Sequence, residues 1–434
     1  RESSFIHSSW HYSSLLGLVS KLLTPGIVLV NMAATRRFSS QLRLRPPTFS
    51  VLNSTLIFAF IAALLLVSTK AASRNPFLDL SARFDGRSEA RFDATFGNRR
   101  SVDAKPPAVH NQPLIGILSQ PGDGDGGRAP RVNAKGWANA GNLEVESRRR
   151  EDLNVSYIAA SYVKWVESAG ARPVHILYDD PDWLLAKKFR AINGLILPGG
   201  GTDLVPGPFF TAVEKLLKMA LAANDAGDYF PVQGTCMGME ALTIFFSQDF
   251  NILESKAFDA EDSPEALRFT DDESKRRAYF SWMTPDLLER IQKEKITMEN
   301  HEDGTTVERF LSNDHLREFF HILTTSIDRN GTEYVTTIEA RNYPIYGTQW
   351  HPEKTAFEWG LPHIPHSAHA VAACQATANF FVNEARRSTH RPESEEEMDD
   401  MLIYNHAPIF SGKNGRGFFE QSYVFKEVSK AGVV

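Results

Sequence analysis

Residues 229–246 read YFPVQGTCMGMEALTIFF. The first five form an apolar run of strand length, and ALTIFF at the far end continues a helix. Between them stands Gly234-Thr235-Cys236-Met237-Gly238. A chain that turns sharply from strand to helix brings backbone segments close together, so the positions flanking the apex must be small. Gly234 and Gly238 meet that requirement, which leaves Cys236 at the apex as a candidate nucleophile. At a helix N-terminus, unpaired N–H groups and the helix dipole favour a thiolate over a thiol, so the expectation is a sulfur ionised near neutral pH. The other cysteine, Cys374, sits at helical spacing in AVAACQATANFF and reads as core.

Outward from the elbow, residues 113–386 alternate short apolar runs with longer amphipathic ones, the pattern of βαβ units around a parallel sheet. LIGIL (Leu114–Leu118), residues 172–178, residues 192–197, residues 229–233, residues 334–340 and residues 345–349 read as strands. The last two pair through a turn at Asn342 and Tyr343. Residues 156–168 and 209–223 read as helices. The fold class is therefore α/β, with a mainly parallel central sheet flanked by helices. The expected strand at residues 229–233 breaks at Gly234.

A cysteine nucleophile wants a histidine, and His351 in QWHPEK directly follows an expected strand, at the end of a sheet where α/β proteins place their sites. Glu353, two residues on, can orient that imidazole and fix its tautomer. The glycines of LPGGGTD, Gly200 and Gly201 among them, follow a strand and can aim backbone N–H groups at an oxyanion, with the Met237 N–H as second donor. This set calls for no cofactor and no metal. His363, His366 and His369 are three apart in HIPHSAH, but Pro362 and Pro365 oppose a regular helix, so they read as a surface cluster rather than a zinc site.

The whole chain has 434 residues, 47 basic against 53 acidic side chains, 42% hydrophobic residues and two cysteines. That balance offers no concentrated cationic face for nucleic acid, and two cysteines exclude a disulfide-stapled scaffold. Residues 56–67 (LIFAFIAALLLV) follow a cationic stretch and precede Ala71, Ala72 and Ser73, the pattern of a secretory signal peptide. Met32 opens MAATRRFSS, so residues 1–31 read as an upstream extension. Domain organisation is then 1–72 extension and leader, 73–110 propeptide or linker, and 111–434 catalytic domain, with no stable membrane anchor once the leader is removed. Residues 393–400 (ESEEEMDD) read as a solvated surface or linker, whereas residues 401–434 are too apolar for a free tail and are expected to pack back as strands or a lid. Asn154 and Asn330 head N-x-S/T sequons that the secretory route would make usable.

GTCMG-ME, LPGGGTDL and QWHPEK together resemble the class I glutamine amidotransferase-like fold, a flavodoxin-like three-layer sandwich. Within it, SYIAASYVKWVESAGARPVHI, FFHILTTS and YPIYGTQWHPEKTAFEW are similar to the gamma-glutamyl hydrolases. The resemblance runs from about residue 113 to the C-terminus. It implies hydrolysis of γ-glutamyl amides in folylpolyglutamates through a thioester, with Cys236 as nucleophile, His351 as acid/base and Glu353 as orienting carboxylate. It also places Glu240 in the active-site region and His301 near the substrate. Family members carry aromatic or basic residues just after that histidine, and here Glu302 and Asp303 stand there. In plant members the secretory route ends in the vacuole or outside the cell. A homodimer is left open. Two other readings share the motifs: a glutaminase domain feeding ammonia to a synthetase, and a binding protein without catalysis.

Overall fold

The computed structural model describes residues 111–122, 155–205, 207–413 and 418–426. The leader, the segment 73–110 and Asn154 lie outside the described residues.

The chain order begins β1 (Leu114–Leu118), β2 (Gln120–Pro121), β3 (Val155–Ala159), α1 (Ala160–Ser168), β4 (Arg172–Ile176), α2 (Asp182–Ala191), β5 (Gly194–Leu197), α3 (Pro208–Asp225), β6 (Val232–Thr235) and α4 (Met237–Ser247). It continues through β7 (Ala260–Glu265), β8 (Arg268–Phe269), α5 (Pro285–Lys293), β9 (Thr297–His301), α6 (Val307–Ser312), α7 (Asp314–Phe319), β10 (Phe320–Ile327), β11 (Glu333–Ala340) and β12 (Ile345–Thr348). It closes with α8 (Lys354–Phe357), α9 (Ala368–Ala385), α10 (Glu395–Met401) and β13 (Ser422–Lys426).

Eight strands form the central sheet in the order β4-β1-β5-β6-β12-β11-β10-β8. The pairs β4-β1, β1-β5, β5-β6 and β6-β12 are parallel, and the ladder turns antiparallel from β12 through β11 and β10 to β8. Alternation along the buried strands sends side chains to both faces. Leu114, Leu118, Leu195 and Leu197 join a core with residues of α2, α3 and α4, while Ile115, Ile117 and Ile196 join a second core with residues of α1, α5 and α9. The result is the three-layer sandwich expected from the sequence. Cys374 lies in the second core, where burial pushes its thiol up to about 12.

Two expectations change. Residues 156–159 belong to a strand rather than to the start of a helix, because β3 pairs antiparallel with both β13 and β2. Those tertiary ladders decide against the helical spacing. The strand expected at residues 229–233 starts only after Pro231 and runs on through Gly234 to Thr235, which pair with Gly347 and Thr348. The acidic run at residues 393–400 is mostly exposed, in keeping with a solvated surface, and mostly helical. Ser394 caps α10 by accepting the Glu397 N–H, and three glutamates occupy the first turn, where a helix dipole favours negative charge.

The C-terminal segment packs back as strand β13 against β3, with Tyr423 opposite Ile158. Just before it, Phe419 packs on Tyr157 with ring centroids 5.8 Å apart.

Candidate active site

Three neighbouring parallel strands end on the same side of the sheet, and each delivers part of the site. β5 leads into Gly199 and Gly200, β6 into Cys236, and β12 into His351. Cys236 adopts φ 51° and ψ −113°, left-handed backbone that a residue with a Cβ rarely takes. Its N–H donates to Thr348 O at 2.7 Å, and its carbonyl accepts the Glu240 N–H at 2.9 Å as the first turn of α4. The strained turn is thus held from both the sheet and the helix.

Gly199 shows how closely the parts converge. A Cβ there would come within 2.7 Å of His351 Cε1, 2.9 Å of the Tyr162 hydroxyl and 3.1 Å of Cys236 Cβ. Three side chains from three elements therefore meet around one backbone position. His351 Nδ1 lies 2.7 Å from Glu353 Oε1, both groups are buried, and Nε2 has no protein partner. The Gly199 N–H donates to Tyr162 Oη at 2.7 Å, and its carbonyl accepts Gln120 Nε2 at 2.8 Å. That fixes the glycine loop and occupies the Gly199 N–H.

Burial governs the electrostatics. With Glu240 nearby it pushes the Cys236 thiol well above its usual range, against the opposing pull of Lys354 and the Met237 N–H. Burial also holds His351 below its ordinary value, outweighing the attraction of Glu353. The expectation of a preformed thiolate is therefore corrected: the helix N-terminus does lower the thiol, but desolvation wins and the resting pair is a neutral thiol beside a neutral imidazole. Glu353 stays ionised, because His351 and Lys354 together overcome the desolvation that opposes its charge.

Cys236, Met237, Glu240, His301 and His351 line one cavity of about 510 Å³, together with Gly200 and Gly201. Glu240 Oε1 accepts Gln349 Nε2 at 2.8 Å, and burial raises its carboxyl to about 7. His301 arrives on β9; its Nδ1 lies 2.8 Å from Asp303 O and its Nε2 3.3 Å from Glu299 Oε2. Although burial opposes its charge, the carboxylates of Glu299 and Glu240 raise it overall. Sequence reasoning missed Tyr162, Gln120, Asn300 and Lys354. Asn300 offers its carbonyl 3.9 Å from Cys236 Sγ, and Lys354 lies buried with its ammonium 4.9 Å from the centre of the Phe419 ring. Only the lysine, inside QWHPEK, lay in a motif that pointed to it.

The three spaced histidines engage separate neighbours. His363 meets Asp262, His366 meets the Thr355 carbonyl, and His369 meets Glu294. Asn330 sits at an exposed turn whose N–H groups at Asn330 and Thr332 donate to Asp328.

A mainly parallel sheet with a cysteine elbow and a buried histidine–carboxylate pair at its strand ends defines the class, a hydrolase on a three-layer α/β sandwich. Residues 139–353 match the Peptidase C26 family. The chain is 41% identical to gamma-glutamyl hydrolase 1 of Arabidopsis thaliana over 341 residues, covering 78% of this chain and 90% of the relative. It is 38% identical to gamma-glutamyl hydrolase 2 of the same plant, over 75% of this chain and 86% of that one. The gamma-glutamyl hydrolase of Rattus norvegicus is 41% identical over 62% of this chain and 83% of its own. Among solved structures, the glutaminase domain of Trypanosoma brucei CTPS with bound acivicin aligns at 12% identity over 65% of this chain and 97% of that chain, with a TM-score of 0.37. The chain belongs to the gamma-glutamyl hydrolase family, Peptidase C26.

Proposed function

We propose that this protein hydrolyses the γ-glutamyl amide bonds of folylpolyglutamates through a thioester on Cys236. The observation that carries the assignment of roles is the convergence at Gly199 of the Cys236 elbow and the His351 imidazole, with Glu353 holding the far nitrogen. Glu353 fixes the tautomer with the proton on Nδ1, so Nε2 presents a lone pair. As Cys236 Sγ attacks the γ-carbonyl, Nε2 takes the thiol proton, so no resting thiolate is needed. The N–H groups of Gly200 and Met237 receive the developing oxyanion. The Nε2 proton then passes to the departing amine as the C–N bond breaks. Water, deprotonated by the same nitrogen, attacks the thioester, and the thiol recovers its proton as the C–S bond breaks.

Glu240 and His301 lie beyond the reacting atoms and help hold the glutamyl group. The domain boundaries at residues 72 and 110, the secretory route to the vacuole or the extracellular space, and a glycan at Asn330 complete the proposal. The exposed turn at Asn330 supports the last of these.

The test incubates the chain from about Ser73 with pteroylpentaglutamate and, separately, with free glutamine, following products by mass spectrometry with Cys236→Ser as control. Release of glutamate units, abolished in the variant, is the expected result. Ammonia from glutamine without folate cleavage would overturn the assignment in favour of a glutaminase, and silence on both substrates would overturn catalysis itself.

A further inference from the structure

A polyglutamate tail carries one α-carboxylate per residue, so a site that threads such a tail should offer a cation for each. Among the described residues the cavity here does the reverse. Asp203, Glu261, Glu302 and Asp303 line it, and Lys354 is the one lysine or arginine in the described lining. Lys354 is 2% exposed and forms no ion pair with a carboxylate among the described residues; its ammonium faces the Phe419 ring instead. Its charge already acts on the carboxylates of Glu353 and Glu358, so it offers attraction for one incoming carboxylate at most. Glu302 is exposed at the rim, and its backbone is pinned by Phe258 N–H donating to Glu302 O at 3.0 Å. The adjacent Asp303 accepts the Lys256 N–H on its side-chain Oδ1 at 2.7 Å and holds its carbonyl 2.8 Å from His301 Nδ1, so the segment is tied at both residues.

We propose that Glu302 is a specificity-determining residue that sets chain length: the cavity accepts one glutamyl α-carboxylate and repels the next ones, so short γ-glutamyl chains turn over faster than long ones. This rests on the γ-glutamyl hydrolase reading above. Like charges approaching one another associate faster as salt screens them, so turnover of long chains should rise with ionic strength, opposite to the behaviour of a cationic cleft.

The experiment measures kcat/KM on pteroyldiglutamate and pteroylpentaglutamate for the full chain and for Glu302→Gln and Glu302→Lys, at low and high sodium chloride. In the unsubstituted protein the diglutamate is expected to be the better substrate, and salt should raise the pentaglutamate value. The ratio of pentaglutamate to diglutamate should rise roughly two- to fivefold in the glutamine variant, the scale of one exposed charge contact, and further in the lysine variant. An unchanged ratio in both variants, or salt that slows pentaglutamate cleavage, would overturn the proposal. Cleavage of the pentaglutamate without the diglutamate would likewise overturn it, whereas absence of cleavage of both substrates in every form would instead overturn the activity on which it depends.

Discussion

His351 Nδ1 and Glu353 Oε1 stand 2.7 Å apart although only one residue separates them, and Glu353 is completely buried. The intervening Pro352 and the turn into α8 fold the carboxylate back under the imidazole. A carboxylate in this place fixes which nitrogen of the ring carries the proton. Replacing Glu353 by Gln keeps the size but removes the charge, and kcat should fall by roughly 10²- to 10⁴-fold with a much smaller change in KM. Steady-state kinetics on pteroyldiglutamate measure it; a KM effect with kcat unchanged would show that Glu353 binds rather than orients.

The neutral resting pair sets the acid side of the pH profile. Because burial holds His351 below its ordinary 6.5, the imidazole remains a competent base at pH values below 6.5. The acid limb of kcat/KM should accordingly fall below that value, as a pH series in buffers of constant ionic strength will read. A limb centred above 6.5 would contradict a neutral, desolvated imidazole.

Glu240 gives a pH dependence of stability. Its carboxyl, ordinarily near 4.5, is raised to about 7 by burial, so the folded state holds a proton that the unfolded state releases. That contribution is fully present below about pH 4.5 and is lost as pH rises through about 7. Relative to Glu240→Gln, the unsubstituted protein should lose roughly 3 kcal/mol across that window. Urea denaturation of both forms at several pH values reads the difference, and parallel curves would refute it.

Backbone strain at Cys236 predicts an ordering between two inactive variants. At φ 51° and ψ −113°, alanine keeps the strain and glycine removes it. Cys236→Gly should be more stable than Cys236→Ala by about 1–2 kcal/mol, the scale of a residue released from a sparsely populated region. Thermal melts of the pair decide.

Close packing beneath the elbow is equally testable. A Cβ at Gly238 would lie 2.0 Å from the backbone oxygen of Leu197 on β5. Because the obstacle is backbone rather than the tip of a flexible side chain, Gly238→Ala should cost several kcal/mol, in the range of severe overpacking. A denaturant midpoint unchanged from that of the unsubstituted protein would contradict this contact.

Much of this architecture is legible from short apolar runs. LIGIL and its neighbours are buried on both faces, so their composition alone marks them as central strands. The elbow is legible for a different reason, since the glycines flanking Cys236 answer to a local steric demand. What escapes is whatever depends on partners far away in sequence. Residues 156–159 look helical until β13, more than 260 positions later, pairs with them. β7 and β9, AEDSPE and TMENH, are too polar to announce themselves, yet they carry Glu261 and His301 to the cavity. Tyr162 reads as one more apolar member of a helix face, and nothing nearby in the chain discloses that its hydroxyl accepts from Gly199. The ionisation of Cys236 escapes a local reading because the helix terminus is a local feature, whereas desolvation is supplied by the whole fold.

Phe418 and Phe419 stand in the cavity wall immediately before β13, whose partner β3 lies near the front of the domain. During synthesis the Cys236 elbow and the His351 turn leave the ribosome well before that wall exists. The growing chain therefore presents Cys236 and His351 in a basin that lacks the Phe418 and Phe419 wall until β13 docks on β3, so a polypeptide trimmed before that wall keeps the pair without its enclosure.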